Sequence, residues 1–307
     1  MNHLAYCLDK NYEQHFGASL MSLLLCDHMG EDLTIHVVID KPTFDFEVKI
    51  AKLNKQYRSN IVLHALHKDD LDLLCKLPTK SDYIKHVSLA SMFRLALGRI
   101  LDKGIEKILY VDSDTIFLSS PVDLFDVDLN ECIVAGVESH NSESHKIRLN
   151  QNIYINAGVI LIDLFKWRHF GVMEDCFNVL LNRPNDVPVL DQDAINIALS
   201  GRVMYLQGKW NRQITMRTRL SDLSEGGILH YITHLKPWQE WYDNSLDSYY
   251  WSCINVSPWR NALPIKATTH QEYRLLAAKL FRQEKFKESA MILDRVANYL
   301  FKEKLSK

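Results

Sequence analysis

The six cysteines of this 307-residue chain (Cys7, Cys26, Cys75, Cys132, Cys176 and Cys253) stand far apart and form no Cys-x-x-Cys pair. That spacing excludes a zinc ribbon and a disulfide framework. Several of the thiols sit in apolar runs, where a free cysteine packs as a small hydrophobe, so a reducing compartment is expected. No apolar run approaches the roughly 18–20 residues that a bilayer-spanning helix requires. Strand-like sequence begins by Leu4, leaving no room for a signal peptide, and the expected place is the cytosol. The N-terminal third has no Gly-rich phosphate loop, which disfavours a nucleotidyltransferase. Low-complexity segments and internal repeats are missing as well.

What is present is ordinary in bulk and uneven in detail. Hydrophobic residues make up 47% and charged residues 24%, the balance of a soluble globular enzyme long enough for one large α/β domain and an appendage. The net charge of −2 divides unequally: residues 264–307 carry ten Lys/Arg against five Asp/Glu, or +5, and the remainder carries −7. A basic tail on an acidic body points to an anionic surface as partner, against the commoner reading of a solvated helix face.

Strand-like and helix-like segments alternate from the start. Residues 4–8, 33–39, 61–66 and 107–111 read as strands. Between them, residues 12–24, a stripe of Phe46, Ile50, Leu53 and Tyr57, and residues 89–101 read as helices. That alternation implies βαβ crossovers and a mostly parallel sheet, which binds ligands at the carboxyl ends of its strands. Residues 132–137 and 153–162 continue as strands, 164–181 and 194–199 as helices. From about Thr268 the pattern is helical, with Tyr273, Leu276 and Leu280, then Phe286, Ala290, Leu293, Val296 and Leu300, on apolar stripes. The expected division is a catalytic domain over residues 1–263 and a basic helical hairpin over residues 264–307.

Two carboxylates interrupt the apolar run ILYVDSDTIFL at residues 108–118. Residues i and i+2 leave a strand on one face, so Asp112 and Asp114 are expected to converge. Two like charges so placed favour a cation between them, and Mg2+ or Mn2+ held by carboxylates also grips diphosphate. Spacing alone is weak, because Asp-x-Asp occurs four times, at Asp70/Asp72, Asp112/Asp114, Asp126/Asp128 and Asp191/Asp193. The same run resembles the nucleophile motif of haloacid-dehalogenase-like phosphatases, but the Gly-Asp motif of that family occurs nowhere here. That phosphatase is the alternative enzyme. His230, ending a short apolar run, reads as a third metal ligand or as a satisfied core residue; as a ligand, its nitrogen favours Mn2+ over Mg2+. Lys236, six residues on, suits a phosphate. Asn156, Ala157 and Gly158 read as a small-residue turn exposing backbone to a ligand, or as a β-bulge. Asp191, Gln192 and Asp193 open a helix, where an N-cap with first-turn acids is the plain reading.

In their order along residues 4–238, these clusters resemble the family 8 glycosyltransferases, retaining α-hexosyl- and glycogenin-like enzymes with a nucleotide-sugar-binding, GT-A-like domain. The resemblance implies that Asp9 and Asn11, in AYCLDKNY, contact uridine, and that Arg94 reaches the sugar or diphosphate. It implies that Asp112, Asp114 and His230 hold the metal, with Ser113 among the donor contacts. Asn156, Ala157 and Gly158 match the loop around the donor sugar, Asp191 and Gln192 the pair beside the anomeric carbon, and Lys236 the diphosphate lysine. One position departs: the family's usual glycine three residues after the metal histidine is Thr233 here, which leaves a backbone N–H but narrows the acceptor side. Ser257-Pro258-Trp259 and the segment from His270 to Arg274 resemble the C-terminal extension of bacterial lipopolysaccharide-core glucosyl- and galactosyltransferases.

The activity so implied is transfer of glucose or galactose from a UDP-sugar to a hydroxyl of an oligosaccharide or lipid-linked acceptor. Mn2+ is the expected ion, with Mg2+ as the alternative, and the basic hairpin is expected to make peripheral contact with an anionic membrane. Nucleic acid is not an expected partner. Gln192 is a poor nucleophile and no base near neutral pH, so front-face attack is preferred over a covalent route through Asp191. A nucleotide-sugar-binding module without turnover is the non-enzymatic alternative; the presence of Asp112, Asp114, His230 and Lys236 together speaks against it.

Overall fold

Strands buried on both faces read as continuous apolar runs, because crossover helices cover a parallel sheet above and below. In the computed structural model, which describes residues 1–26, 32–79, 88–223 and 226–305, ten strands form in chain order. They are β1 (Asn2–Leu8), β2 (Leu33–Ile39), β3 (Asn60–Ala65), β4 (Lys107–Val111), β5 (Thr115–Phe117), β6 (Val134–Glu138), β7 (Ile155–Asp163), β8 (Val203–Tyr205), β9 (Arg212–Gln213) and β10 (Ile228–His230). Seven make one sheet in the order β3-β2-β1-β4-β7-β6-β8, and β5-β10-β9 make a second. Within the large sheet β7 alone runs against its neighbours β4 and β6; the rest are parallel. The expected α/β class with a mostly parallel sheet is what forms, and the carboxyl ends of β1 and β4 lie side by side.

Two of the expected helical stripes are buried as read. The helix Glu13–Cys26 buries Phe16, Leu20 and Leu23, and Phe44–Tyr57 buries Phe46, Ile50 and Leu53. Three expectations change. The helix expected over residues 89–101 is broken into Ala90–Phe93, a 3-10 turn at Arg94–Ala96, and Leu97–Ile100. Arg94 drives the break: its Nε donates back to the Ser91 carbonyl at 2.8 Å while the rest of the guanidinium serves buried groups elsewhere. The helix expected over residues 164–181 divides into Leu164–His169 and Val172–Asn182 at Gly171, whose φ of 64° suits glycine. Residues 156–158 are not a turn. They lie within β7, and the β-bulge reading holds: Gly136 pairs with Ile160 and Glu138 with Ile155, so residues 156–159 of β7 stand opposite Val137 alone.

By compactness the chain forms two units, Met1–Gln213 with Glu225–His230, and Ile214–Ser224 with Tyr231–Lys307. In the second, the hairpin helices His270–Arg282 and Phe286–Leu305 share a unit with the helix Asp247–Val256. Thr269 and Glu272 form a capping box. Lys279 Nζ donates to the Glu240 carbonyl at 3.0 Å, and Arg282 pairs with Asp243. The last helix packs on its hairpin partner along a narrow seam containing Ser289 and Val296. Of its expected apolar stripe, Val296 is buried, whereas Phe286 and Leu293 are 55% and 50% exposed. Leu300 lies outside the residues whose side chains are described. Among the described residues, no helix is long and apolar enough to cross a membrane.

Candidate active site

Asp112 follows the last residue of β4, and its N–H donates to the Gly158 carbonyl of β7 at 2.7 Å. The two acids do not lie on a strand as expected; residues 112–114 are the tight turn between β4 and β5. Convergence comes instead from β10, whose antiparallel pairing with β5 sets His230 opposite Thr115, one residue beyond Asp114. His230 Nε2 lies 3.2 Å from Asp114 Oδ1 and 3.7 Å from Asp112 Oδ2. One donor atom from each of Asp112, Asp114 and His230 falls within 4.8 Å of the others, so the three can hold a single ion. Gly158 makes the room: a Cβ there would stand 2.2 Å from His230 Cε1 and 2.7 Å from Asp112 Oδ2. Ser113 is buried between the acids, and its hydroxyl has no hydrogen-bond partner among the described residues.

Arg94 ties these acids to the helix Asp191–Ala198. Its Nη2 is 2.9 Å from Asp112 Oδ1, its Nε 3.1 Å from Asp191 Oδ2, and its Nη1 donates to the Ala157 carbonyl at 2.7 Å. Its guanidinium also lies 4.6 Å over the Tyr110 ring, whose hydroxyl donates to Asp112 Oδ1 at 2.6 Å. These contacts hold the Arg94 guanidinium between Asp112 and Asp191, beside the acid cluster. Despite its burial, the acids raise the Arg94 pKa above the ordinary range. Burial pushes the Asp191 carboxyl up to about 6, outweighing the pull of Arg94.

Asp191 is the first residue of the helix Asp191–Ala198, not its cap; Leu190, with φ 48°, precedes it. Gln192 turns its Oε1 inward, accepting from Ala157 N at 3.1 Å and Asn156 Nδ2 at 3.0 Å, and its Nε2 donates to Tyr154 Oη at 3.1 Å. Asn156 Oδ1 accepts from Gly158 N at 3.0 Å and Asn211 Nδ2 at 2.8 Å. Asn211 Oδ1 stands 3.0 Å from His230 Nδ1. Tyr154 Oη donates to Asp193 Oδ1 at 2.6 Å, and Arg148 binds the same oxygen at 2.7 Å. Thus Asn156, Ala157, Gly158, Asp191, Gln192 and the three acid and imidazole groups form one contiguous assembly.

Asp9 and Asn11 lie past the end of β1. Asn11 N donates to Asp9 Oδ1 at 2.8 Å, and Ser88 donates to the other oxygen. Burial pushes the Tyr12 phenol up, and Asp114, Asp112 and Asp9 push it further, so Tyr12 lies within their field. Thr233 and Lys236 belong to the second unit. There Thr233 Oγ1 donates to the Leu235 carbonyl at 2.8 Å, and Lys236 Nζ to the Tyr231 carbonyl. Sequence reasoning overlooked Tyr110, Tyr154 and Asn211. Tyr110 stood in the open, two residues before Asp112, within reach of its carboxylate. Asn211 gave no signal, since a lone asparagine in a polar segment has no pattern to read.

A cradle of two carboxylates and an imidazole, at the carboxyl edge of a mostly parallel sheet, defines a nucleotide-sugar transferase domain of the GT-A kind. The description "Glycosyl transferase family 8" matches residues 3–242. The chain is 28% identical over 287 residues to the lipopolysaccharide 1,2-glucosyltransferase of Escherichia coli strain K12, covering 88% of this chain and 82% of that protein. It is 25% identical over 299 residues to the lipopolysaccharide 1,3-galactosyltransferase of Salmonella typhimurium strain LT2, covering 92% and 86%. Its fold resembles the galactosyltransferase LgtC, crystallised with donor and acceptor sugar analogues, with a TM-score of 0.72 and 21% identity over 83% of this chain and 96% of the other. The chain belongs to glycosyl transferase family 8. It is a glycosyltransferase, which sets aside the phosphatase alternative.

Proposed function

We propose that this chain transfers glucose or galactose from a UDP-sugar to a hydroxyl of a lipopolysaccharide-core oligosaccharide, retaining the anomeric configuration. The observation that carries the proposal is the Asp112, Asp114 and His230 cluster, with its donor atoms within 4.8 Å and a glycine clearing its floor. Its donor set suits Mn2+, with Mg2+ as the alternative. A divalent ion there supplies Lewis-acid neutralisation of the departing diphosphate. The names of the two relatives support the acceptor and both candidate sugars.

The roles of the residues follow the family's motif order. Asp9 and Asn11 bind uridine, Ser113 offers its unpartnered hydroxyl to the donor, and Asn156, Ala157 and Gly158 border the sugar. Arg94, held between Asp112 and Asp191, reaches the sugar or diphosphate. Lys236 and the backbone N–H of Thr233 are assigned to the diphosphate. The acceptor hydroxyl attacks from the face that the diphosphate leaves, and a departing phosphate oxygen takes its proton. Gln192 Oε1 accepts two hydrogen bonds from the protein, which weakens any case for it as nucleophile.

Residues 1–263 carry this chemistry, and the hairpin of residues 264–307 brings the protein to the cytoplasmic face of an anionic membrane. Phe281, Phe286, Met291 and Leu293 are all at least half exposed on the hairpin, beside exposed Lys285, Lys287 and Arg295. The test is a screen of UDP-sugars for UDP release without acceptor. Release from UDP-glucose or UDP-galactose that stops in EDTA and falls by orders of magnitude in Asp114→Ala supports the reading. Full release in EDTA overturns it.

A further inference from the structure

We propose that Asn211 is a positioning residue that, together with Asn156, locks His230 in its Nδ1-protonated tautomer and joins the ion site to Gln192. The proposal rests on reading Asp112, Asp114 and His230 as a divalent-ion site. It starts from a group whose chemistry has no ambiguity: a backbone N–H can only donate. Gly158 N–H points at Asn156 at 3.0 Å, so the side-chain atom it meets is the oxygen, Oδ1. Ala157 N–H likewise requires the oxygen of Gln192, at 3.1 Å. Two independent backbone donors thereby fix the orientation of two side-chain amides, and each agrees with the other, because Asn156 Nδ2 then donates to Gln192 Oε1 at 3.0 Å.

The remaining steps follow by elimination. Asn156 Oδ1 also faces Asn211 at 2.8 Å, and an oxygen there demands the amide nitrogen, Nδ2. Asn211 must then present its carbonyl oxygen to His230, 3.0 Å from Nδ1. A carbonyl oxygen only accepts, so Nδ1 carries the hydrogen and the lone pair of the neutral ring is on Nε2. Nε2 is the atom turned to Asp114 and Asp112, at 3.2 and 3.7 Å. Asn211 and His230 are both buried, at 1% and 4% exposure, so water does not substitute for a misplaced partner. Reversing Asn211 would set its oxygen against Asn156 Oδ1 and offer N–H groups to the imidazole.

The same directed chain continues beyond Gln192. Gln192 Nε2 donates to Tyr154 Oη, which donates to Asp193 Oδ1, where Arg148 neutralises the carboxylate. Every donor from His230 to Tyr154 points the same way, so the orientation of the amide beside the donor sugar and the tautomer of the ligand are set together. Partners of this kind are worth 10- to 100-fold in metal affinity.

The experiment uses the full chain with labelled histidine, free of metal. Long-range proton–nitrogen correlation separates protonated from lone-pair ring nitrogens, and the His230 signal is expected with Nδ1 protonated. Binding of Mn2+ is read by electron paramagnetic resonance of the free ion. Asn211→Leu is expected to bind Mn2+ about 10- to 100-fold more weakly. Asn211→Asp keeps an acceptor for Nδ1 but gives no donor to Asn156; it is expected to restore Mn2+ affinity while kcat for UDP release stays low. A purely structural role would move both together. A His230 whose Nδ1 carries no hydrogen in the wild type overturns the proposal, even if neither variant folds, as does a folded Asn211→Leu that binds Mn2+ like the wild type. If the wild type binds no divalent ion, the ion-site reading fails, and the tautomer measurement still decides the role of Asn211.

Discussion

Replacing Gly158 by alanine tests the cradle with a single carbon atom. The new Cβ would stand 2.2 Å from His230 Cε1, 2.9 Å from His230 Nδ1 and 2.7 Å from Asp112 Oδ2. Carbon atoms in contact sit about 3.5–4.0 Å apart, so the imidazole would have to retreat by more than an ångström. Neither neighbour is a loose chain end. His230 is held by Asn211 at 3.0 Å, and Asp112 by Arg94 at 2.9 Å and Tyr110 at 2.6 Å. Gly158 itself is pinned in β7, its N–H on Asn156 and its carbonyl taking Asp112 N–H. Overpacking of this sort costs roughly 1–3 kcal/mol, and a chain of this size loses about 1.5 °C in Tm per kcal/mol.

The functional loss should be larger than the loss of stability. Ligand distances in a metal site tolerate shifts of about 0.2 Å, so an ångström removes the imidazole from the set. Losing Lewis-acid assistance worth several kcal/mol slows UDP release by about a thousandfold. The assay pairs thermal unfolding, with and without Mn2+, with UDP release from UDP-glucose and UDP-galactose. Gly158→Ala should fold, melt somewhat lower, and gain no stability from Mn2+ at concentrations that stabilise the wild type. A variant that binds Mn2+ normally and releases UDP at the wild-type rate would refute the reasoning, whatever its Tm.

Three further outcomes are expected. UDP with Mn2+ should raise the Tm more than GDP or ADP with Mn2+, and equal shifts would remove the uridine assignment to Asp9 and Asn11. Stability should fall with acid through the imidazole row of His3, His36 and His64, linked by contacts of 3.0 and 2.9 Å. Burial pushes His36 down to about 3 and lowers His3 and His64, so the unfolded chain binds more protons below its histidine pKa of about 6.5. The stabilisation is whole above that value and is lost as pH falls toward 3; His36 alone should cost about 2 kcal/mol between pH 7 and 5, and a denaturation midpoint independent of pH over that range would contradict it. Substituting Lys285, Lys287 and Arg295 with glutamine should weaken binding to anionic vesicles by roughly a hundredfold at low salt, at up to about 1 kcal/mol per charge. A wild type that ignores such vesicles at low salt makes the hairpin simply structural.

Most of the large sheet could be read from the chain because two-sided burial writes itself as uninterrupted apolar runs, as in β1, β2 and β4. Failures came where a distant partner overrode the local pattern. Residues 89–101 have a good helical stripe, yet Arg94 at its centre must reach Asp112 and Asp191, and the turn tightens to let it. Gly171 was visible as a glycine, but its left-handed φ depends on how the two helices beside it pack. The acids of the Asp-x-Asp run were rightly expected to converge for a reason that proved wrong. Strand alternation was the expected cause, whereas the observed cause is a turn closed by β10, a strand over a hundred residues away.

His230 shows where reading the chain stops. A buried histidine at the end of an apolar strand is a core residue or a ligand, and at 4% exposure it looks the same in either case. What separates the two is the partner on each ring nitrogen. A core histidine satisfies both with ordinary donors and acceptors. This one meets an amide oxygen on Nδ1 and two carboxylates on Nε2, and carboxylates give a neutral imidazole's lone pair nothing to accept. Only a proton or a cation reconciles Nε2 with Asp112 and Asp114. The ring is buried, with Nδ1 already committed to Asn211, and the three donor atoms sit within reach of one ion. That asymmetry belongs to three separate strands brought together, β4, β5 and β10, and no window of sequence contains it.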